Sequence, residues 1–206
     1  MKKIIRGFVG ILFFATFAIG SASAFDPMNR AEGIQDSSVF VNAGVGFPTK
    51  EFFRAIDYGR YFKTHIPPLV AAVDFRLPVN VPLSVGAHFS IDTYDEITAR
   101  PDGINIHGYG QYFNIGARAA WHFDFGVKNL DTYAGIVLGI ELSHQQGSVT
   151  NRNNAFPPRN FEETTSNFFG GGHIGARYFF TNTIGMFAEV GYNNASLATL
   201  GLALKF

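Results

Sequence analysis

The stretch Leu197-Ala198-Thr199-Leu200-Gly201-Leu202-Ala203-Leu204-Lys205-Phe206 places an apolar side chain at every second position: Ala198, Leu200, Leu202, Leu204 and Phe206. A period of two is the signature of a strand whose faces meet different surroundings. One unbroken greasy face that ends on an aromatic residue suits a strand that closes a barrel inside an outer membrane. Leu202, Leu204 and Phe206 are therefore the candidate insertion signal.

The opposite end of the chain agrees. Lys2, Lys3 and Arg6 precede an apolar run from Gly7 to Gly20, and Ala22-Ser23-Ala24 supplies a small-x-small cleavage pattern. Residues 1–24 are expected to be a signal peptide, with 25–37 a loose periplasmic lead and 38–206 the barrel. The alternative, an amino-terminal membrane anchor, suffers from a run too short to span. The chain has no cysteine, which excludes both a lipid-modified cysteine and disulfide staples. Without Lys2, Lys3 and Arg6 the 16 basic residues become 13, against 16 acidic ones, a net charge of −3. Neither strong basicity nor a basic stripe is present, which argues against a nucleic-acid partner. No cofactor is expected, because no phosphate-cradling loop, nucleotide fingerprint or close metal-ligand spacing occurs.

Working back from the terminal strand, seven more segments alternate with one apolar parity: Val39–Phe47, Leu69–Leu77, Leu83–Ile91, Phe113–Phe123, Ala134–Leu142, Phe168–Phe180 and Ala188–Tyr192. None of these parities carries a charge. The strand charges fall on the other parity, four basic (Arg76, Arg118, Arg177, Lys205) and four acidic (Asp74, Asp92, Glu141, Glu189), with His88, His122 and His173. A soluble eight-stranded barrel would alternate too, but with apolar side chains inside. Its outer parity would be rich in Lys, Glu and Thr, whereas here the polar parity is mostly Gly, Asn, Ser and Ala. A balanced set of isolated charges suits a narrow interior, since an unpaired charge away from water is costly. Aromatics also gather at both strand ends, Phe47, Tyr109, Phe113, Phe168 and Tyr192 at one rim and Trp121, Phe123, Tyr178, Phe180 and Phe206 at the other. Such girdles mark membrane interfaces.

The connections then run long, short, long, short, long, short, short. With both termini in the periplasm, the long ones, Phe47 to Leu69, Asp92 to Tyr109 and Leu142 to Phe168, all fall outside the cell. The expectation is an all-β, eight-stranded antiparallel up-and-down transmembrane barrel in the bacterial outer membrane.

Three segments near the end read Gly175-Ala176-Arg177-Tyr178-Phe179-Phe180-Thr181, Gly185-Met186-Phe187-Ala188-Glu189-Val190-Gly191-Tyr192 and Leu200-Gly201-Leu202-Ala203-Leu204-Lys205-Phe206. Their order resembles the carboxy-terminal signature of small outer-membrane β-barrel proteins of the OmpA, OmpX and OmpW kind. Gly116–Phe123 and Leu130–Gly135 resemble the central hairpin of the same family. The resemblance covers strands four to eight and implies an eight-stranded barrel but no particular ligand. It also implies lipid, lipopolysaccharide-type glycolipid and the barrel-assembly machinery as partners.

Function is less legible. Eight strands enclose a space that side chains fill, so Asp74, Arg76, Asp92, Arg118, Glu141, Arg177, Glu189 and Lys205 are expected to form a salt-bridged plug. The barrel would then act structurally, or as an adhesin-like surface protein that binds an extracellular ligand through its outer loops. The aromatics and arginine of those loops, Phe52, Phe53, Tyr58, Tyr61, Phe62, Phe156, Arg159 and Phe161, are the types that anchor interfaces. The plain alternative is that they cap the barrel mouth. A second reading, which OmpW-like resemblance implies, is a narrow conduit for small, mainly hydrophobic molecules, with inner glycines leaving the space. A third is lipid A modification by His88 and Ser90 with Glu141 as orienting group. Both side chains point inward on this parity, away from lipid, so no enzyme is expected.

Overall fold

The computed structural model describes residues 38–49, 60–78, 81–99, 103–151 and 157–206. The expected signal peptide and lead lie outside the described residues. Eight strands follow in order: β1 (Val39–Pro48), β2 (Arg60–Arg76), β3 (Leu83–Ala99), β4 (Ile104–Phe123), β5 (Leu130–Asn151), β6 (Arg159–Phe179), β7 (Ile184–Tyr192) and β8 (Ser196–Lys205). Each pairs antiparallel with its neighbour, and β1 closes the barrel on β8. Val39 and Phe206 exchange both backbone hydrogen bonds at 2.9 Å, which seals the seam at the end where β1 begins and β8 stops.

The turns at that end are short. Between β4 and β5, Asp124 Oδ1 accepts the Gly126 N–H at 2.7 Å, and Gly126 and Asn129 adopt positive φ (69° and 64°). Glycine and asparagine tolerate that left-handed backbone better than most residues. Between β6 and β7, Thr181 Oγ1 accepts the Ile184 N–H at 2.9 Å.

The apolar parity faces outward. Ile136, Leu138, Ile140 and Leu142 of β5 are all exposed, Leu138 at 55%, and Val73, Ile115, Val190 and Leu200 are exposed on other strands. Asp74, Arg118 and Arg177 are buried inside, Arg177 at 0%. A closed barrel with a greasy belt and sealed charges pairs each strand with both neighbours, as a lipid bilayer demands. The belt on β5 runs from Ala134 to Leu142, about 27 Å along the strand and about 20 Å along the barrel axis at the usual tilt.

Three connections need correction, and with them the ends of five strands. The connections read as long loops are largely strand: β2 begins at Arg60, β3 and β4 continue to Ala99 and from Ile104, and β5 and β6 reach Asn151 and start at Arg159. Pro67 and Pro68 therefore sit within β2, where the ladder to β3 shifts register between Thr64 and Ile66 and between Ile66 and Leu69. That accommodates residues without an N–H. The result is lopsided. β2 to β6 have 17 to 22 residues and β1, β7 and β8 have 9 to 10. Five strands thus continue as an open sheet above the rim set by the other three.

Candidate functional site

Inside the barrel, two guanidinium groups organise the charges. Arg177 on β6 donates from Nη1 to Asp131 Oδ2 at 2.8 Å, from Nε to Asn42 Oδ1 at 3.1 Å, and from Nη2 to Asp74 Oδ2. Its plane lies between the Tyr133 ring (4.1 Å) and the Phe40 ring (4.7 Å), a cation–π arrangement. Arg118 on β4 takes the other oxygen of Asp74, with Nε 2.9 Å from Oδ1. Its Nη2 donates to Glu189 Oε1 at 2.8 Å and lies 2.9 Å from His173 Nε2. Tyr133 Oη donates to the same Glu189 oxygen at 2.8 Å. Asp74 thus joins two arginines, and the chain of bonds crosses the lumen from β2 to β6.

The floor of this cluster is His122, whose Nδ1 meets Asp131 Oδ1 at 2.6 Å and whose Nε2 meets Ser84 Oγ at 2.9 Å. Ser84, His122 and Asp131 share the spacing of a nucleophile, base and orienting carboxylate. Their surroundings differ from a catalytic site. Ser84 is wholly buried, the imidazole lies between Phe40 and Tyr133 (6.1 and 5.8 Å), and Arg177 holds the second oxygen of Asp131. The trio braces the plug.

The local sequence makes room for these rings. Tyr133 faces Gly175 across the β5–β6 ladder and His173 faces Gly135. A Cβ on Gly175 would stand 2.6 Å from Tyr133 Cζ, and one on Gly135 would stand 2.9 Å from His173 Cε1. These inner glycines hold space for aromatic and imidazole rings, so the interior is packed at this level.

Of the eight charges expected in the plug, Asp74, Arg118, Arg177 and Glu189 form the connected cluster. Arg76 and Asp92 are buried and share the inward parity. Glu141 is half-buried and accepts from Asn194 Nδ2 at 2.7 Å, and Lys205 Nζ lies 4.9 Å over the Phe179 ring. Asp131 is missing from the expected list because it directly follows a turn. It brings the acidic groups to five against four basic ones, which corrects the equal balance. His88 and Ser90 do not assemble with Glu141: Ser90 Oγ accepts from Asn114 Nδ2 at 3.1 Å, while Glu141 binds Asn194.

Leu202 and Phe206 are exposed on the lipid side and Leu204 is half-buried there. Among the candidate surface residues, Phe52, Phe53, Tyr58 and Phe156 lie outside the described residues. Tyr61 and Phe62 fall on β2, Arg159 opens β6 and is exposed, and Phe161 is half-buried. Phe161 lies on the inner face of the sheet extension, where a Cβ at the cross-strand Gly147 would stand 2.7 Å from its Cζ. Below it, the Tyr94 and Tyr112 rings stack with centroids 4.7 Å apart, and their hydroxyls bond to each other.

No family model and no curated protein matches this chain. Solved structures do. The outer membrane protein OprG from Pseudomonas aeruginosa superposes with a TM-score of 0.54 at 9% identity, over 86% of this chain and 99% of that one. Two others are the attachment invasion locus protein Ail of Yersinia pestis and the N-terminal β-barrel domain of Pseudomonas aeruginosa OprF. Ail covers 84% of this chain and all of its own at 12% identity and a TM-score of 0.41. The OprF domain covers 83% and 98% at 14% identity and 0.38. With its exposed belt and closed ladder, the chain has the fold of a small eight-stranded β-barrel of the bacterial outer membrane, built like OprG.

Proposed function

We propose that the barrel is a sealed membrane anchor that presents its five-stranded extension to an extracellular ligand. The observation that carries this reading is the bridge from Asp74 through Arg118 and Arg177 to Asp131 and Glu189, which sets charges of opposite sign against one another across the lumen. An open pore would leave such charges facing a water column, and their mutual bonding gives the interior a structural role instead. The extension supports the surface role. Above Leu142 the outward side chains of β5 turn polar, His144, Gln146, Ser148 and Thr150, at the height where glycolipid head groups and outside partners are met. Lipopolysaccharide-type glycolipid is the neighbour we assign to that outward polar face, and the barrel-assembly machinery is the partner during insertion.

Two measurements test this. Purified barrel in a planar bilayer is expected to pass no single-channel current, and steady conductance in the wild type would defeat the sealed anchor. Whole cells carrying a barrel shortened to the β1–β8 rim are expected to lose surface attachment while keeping heat-shifted gel mobility. Undiminished attachment would defeat the surface role.

A further inference from the structure

Between the ionic plug and the outside lies one more layer of inward side chains. At its base stands His88 of β3. One step below it, Gly86 faces Asp74 and Arg118 across the two ladders, so His88 rests directly on the plug. Its own neighbours are Ala72 and Gly116, and the next inward position, Gly139, also lacks a side chain. The imidazole is 1% exposed, yet its Nε2 has no hydrogen-bond partner. A buried polar atom in that state calls for an occupant, and the small neighbours leave the ring open to one. The β7–β8 turn roofs this layer. Asn194, with positive φ (73°), donates from Nδ2 to Asn114 Oδ1 at 2.8 Å and to Glu141 Oε2 at 2.7 Å. Asn114 Nδ2 donates in turn to Ser90 Oγ at 3.1 Å, two residues from His88 on the same face of β3. Tyr192 Oη steadies the roof by donating to Asn194 Oδ1 at 3.0 Å, and the Thr49 N–H donates to the Ala195 carbonyl at 3.0 Å.

From these contacts we propose that the layer between His88 and Asn194 is a binding site for a small primary ammonium cation from outside the cell. Its N–H groups donate to His88 Nε2 and Ser90 Oγ, and Asn194 closes over it. Charge selects a cation. The connected plug below sets three carboxylates, Asp74, Asp131 and Glu189, against two guanidiniums, Arg118 and Arg177. Arg118, the cation of the floor, is already bonded to Asp74 and Glu189 and lies against His173. Glu141 adds a half-buried carboxylate at the roof. A water molecule would satisfy the His88 nitrogen but not this excess of negative charge. Among the described residues no three His, Asp or Glu side chains converge closely enough to hold a metal ion. The cation that fits therefore brings its own hydrogen-bond donors, which an ammonium group has and a quaternary nitrogen lacks. The plug makes the site a dead end, so the proposal goes beyond the surface role and leaves the sealed anchor standing whatever its outcome.

The test uses the mature barrel in phosphatidylcholine nanodiscs, which carry no net lipid charge to attract the probe. Ethylammonium chloride is titrated while the ring nitrogens of isotope-labelled histidine are followed by magnetic resonance. One imidazole signal is expected to shift saturably, and in His88→Leu no histidine signal is expected to do so. Tetramethylammonium chloride and sodium chloride at the same concentrations are expected to leave that signal in place. Glu141→Gln, with heat-shifted gel mobility retained, is expected to bind ethylammonium about tenfold more weakly. Asn194→Gly keeps the positive φ and removes the roofing amide, and it is expected to speed exchange of the probe on and off the site. A wild-type barrel with no saturable shift overturns the proposal, and so does an equal shift with tetramethylammonium or sodium. Unchanged affinity in Glu141→Gln would overturn the selection by charge. Exchange as slow in Asn194→Gly as in the wild type would overturn entry beneath the roof.

Discussion

The two halves of β5 share one backbone ladder and differ in almost everything else. From Ala134 to Leu142 the outward side chains are aliphatic, while Asp131 and Tyr133 just below belong to the sealed interior. From Ser143 to Asn151 both faces are polar or small, and the strand still pairs residue for residue with β4 and β6. Backbone hydrogen bonding is therefore common to both halves, and the solvent decides the side chains. Lipid requires an apolar outer face and an interior that neutralises itself. Water above the belt relaxes both demands.

The sharpest way to break that contrast is inside the lower half. Arg177→Met leaves Asp74 and Asp131 buried without their shared cation, and it is expected to cost about 3–5 kcal/mol in reversible urea unfolding from vesicles. A wild-type midpoint would remove the ionic cluster from the account of stability. Next comes the belt. Leu138→Arg places a charge near the middle of the lipid layer and is expected to cost about 2–4 kcal/mol. The same change at Gln146, eight residues along the same face, is expected to stay within about 0.5 kcal/mol. Equal effects at the two positions would move the membrane boundary away from Leu142.

Smaller effects sharpen the packing side. Gly175→Ala drives a methyl group into the Tyr133 ring and is expected to cost about 1–3 kcal/mol, partly recovered by Tyr133→Leu in the same chain. Additive losses in the double variant would show that the two do not compete for one space. Smallest is Tyr112→Phe, which removes one hydroxyl from the stacked pair with Tyr94. It is expected to cost about 1 kcal/mol and to leave gel mobility unchanged.

Legibility followed the same division. In the lower half, one parity of each strand is free of charge, so period two and facing direction can be read together from residues such as Ile136, Leu138 and Ile140. In the upper half, neighbours such as His144 and Gln145 or Thr164 and Thr165 are polar on both faces, so the alternation vanishes although the strands continue. Asn-rich and proline-containing stretches then read as loops. Within the cluster, Arg118, Arg177, Asp74 and Glu189 were visible as charges on the inward parity. Asp131 was hidden by its place beside the Gly126–Asn129 turn, although it sits two residues before Tyr133 on the same face. Asn42 and Ser84 carry no charge, and only the folded neighbours give them a part. The packed glycines also had a signal available, since Gly135 and Gly175 sit in register with large inward residues once the hairpin is aligned.

Arg177 takes its partners from β1, β2 and β5, two of them more than a hundred residues earlier in the chain. Until the first two strands have met the sixth, its positive charge has only Asp131 to answer it, and Asp74 has lost a cation. Such a half-built sheet is ill suited to cross hydrocarbon. Closing the cylinder before it meets hydrocarbon would spare those ions a passage through oil.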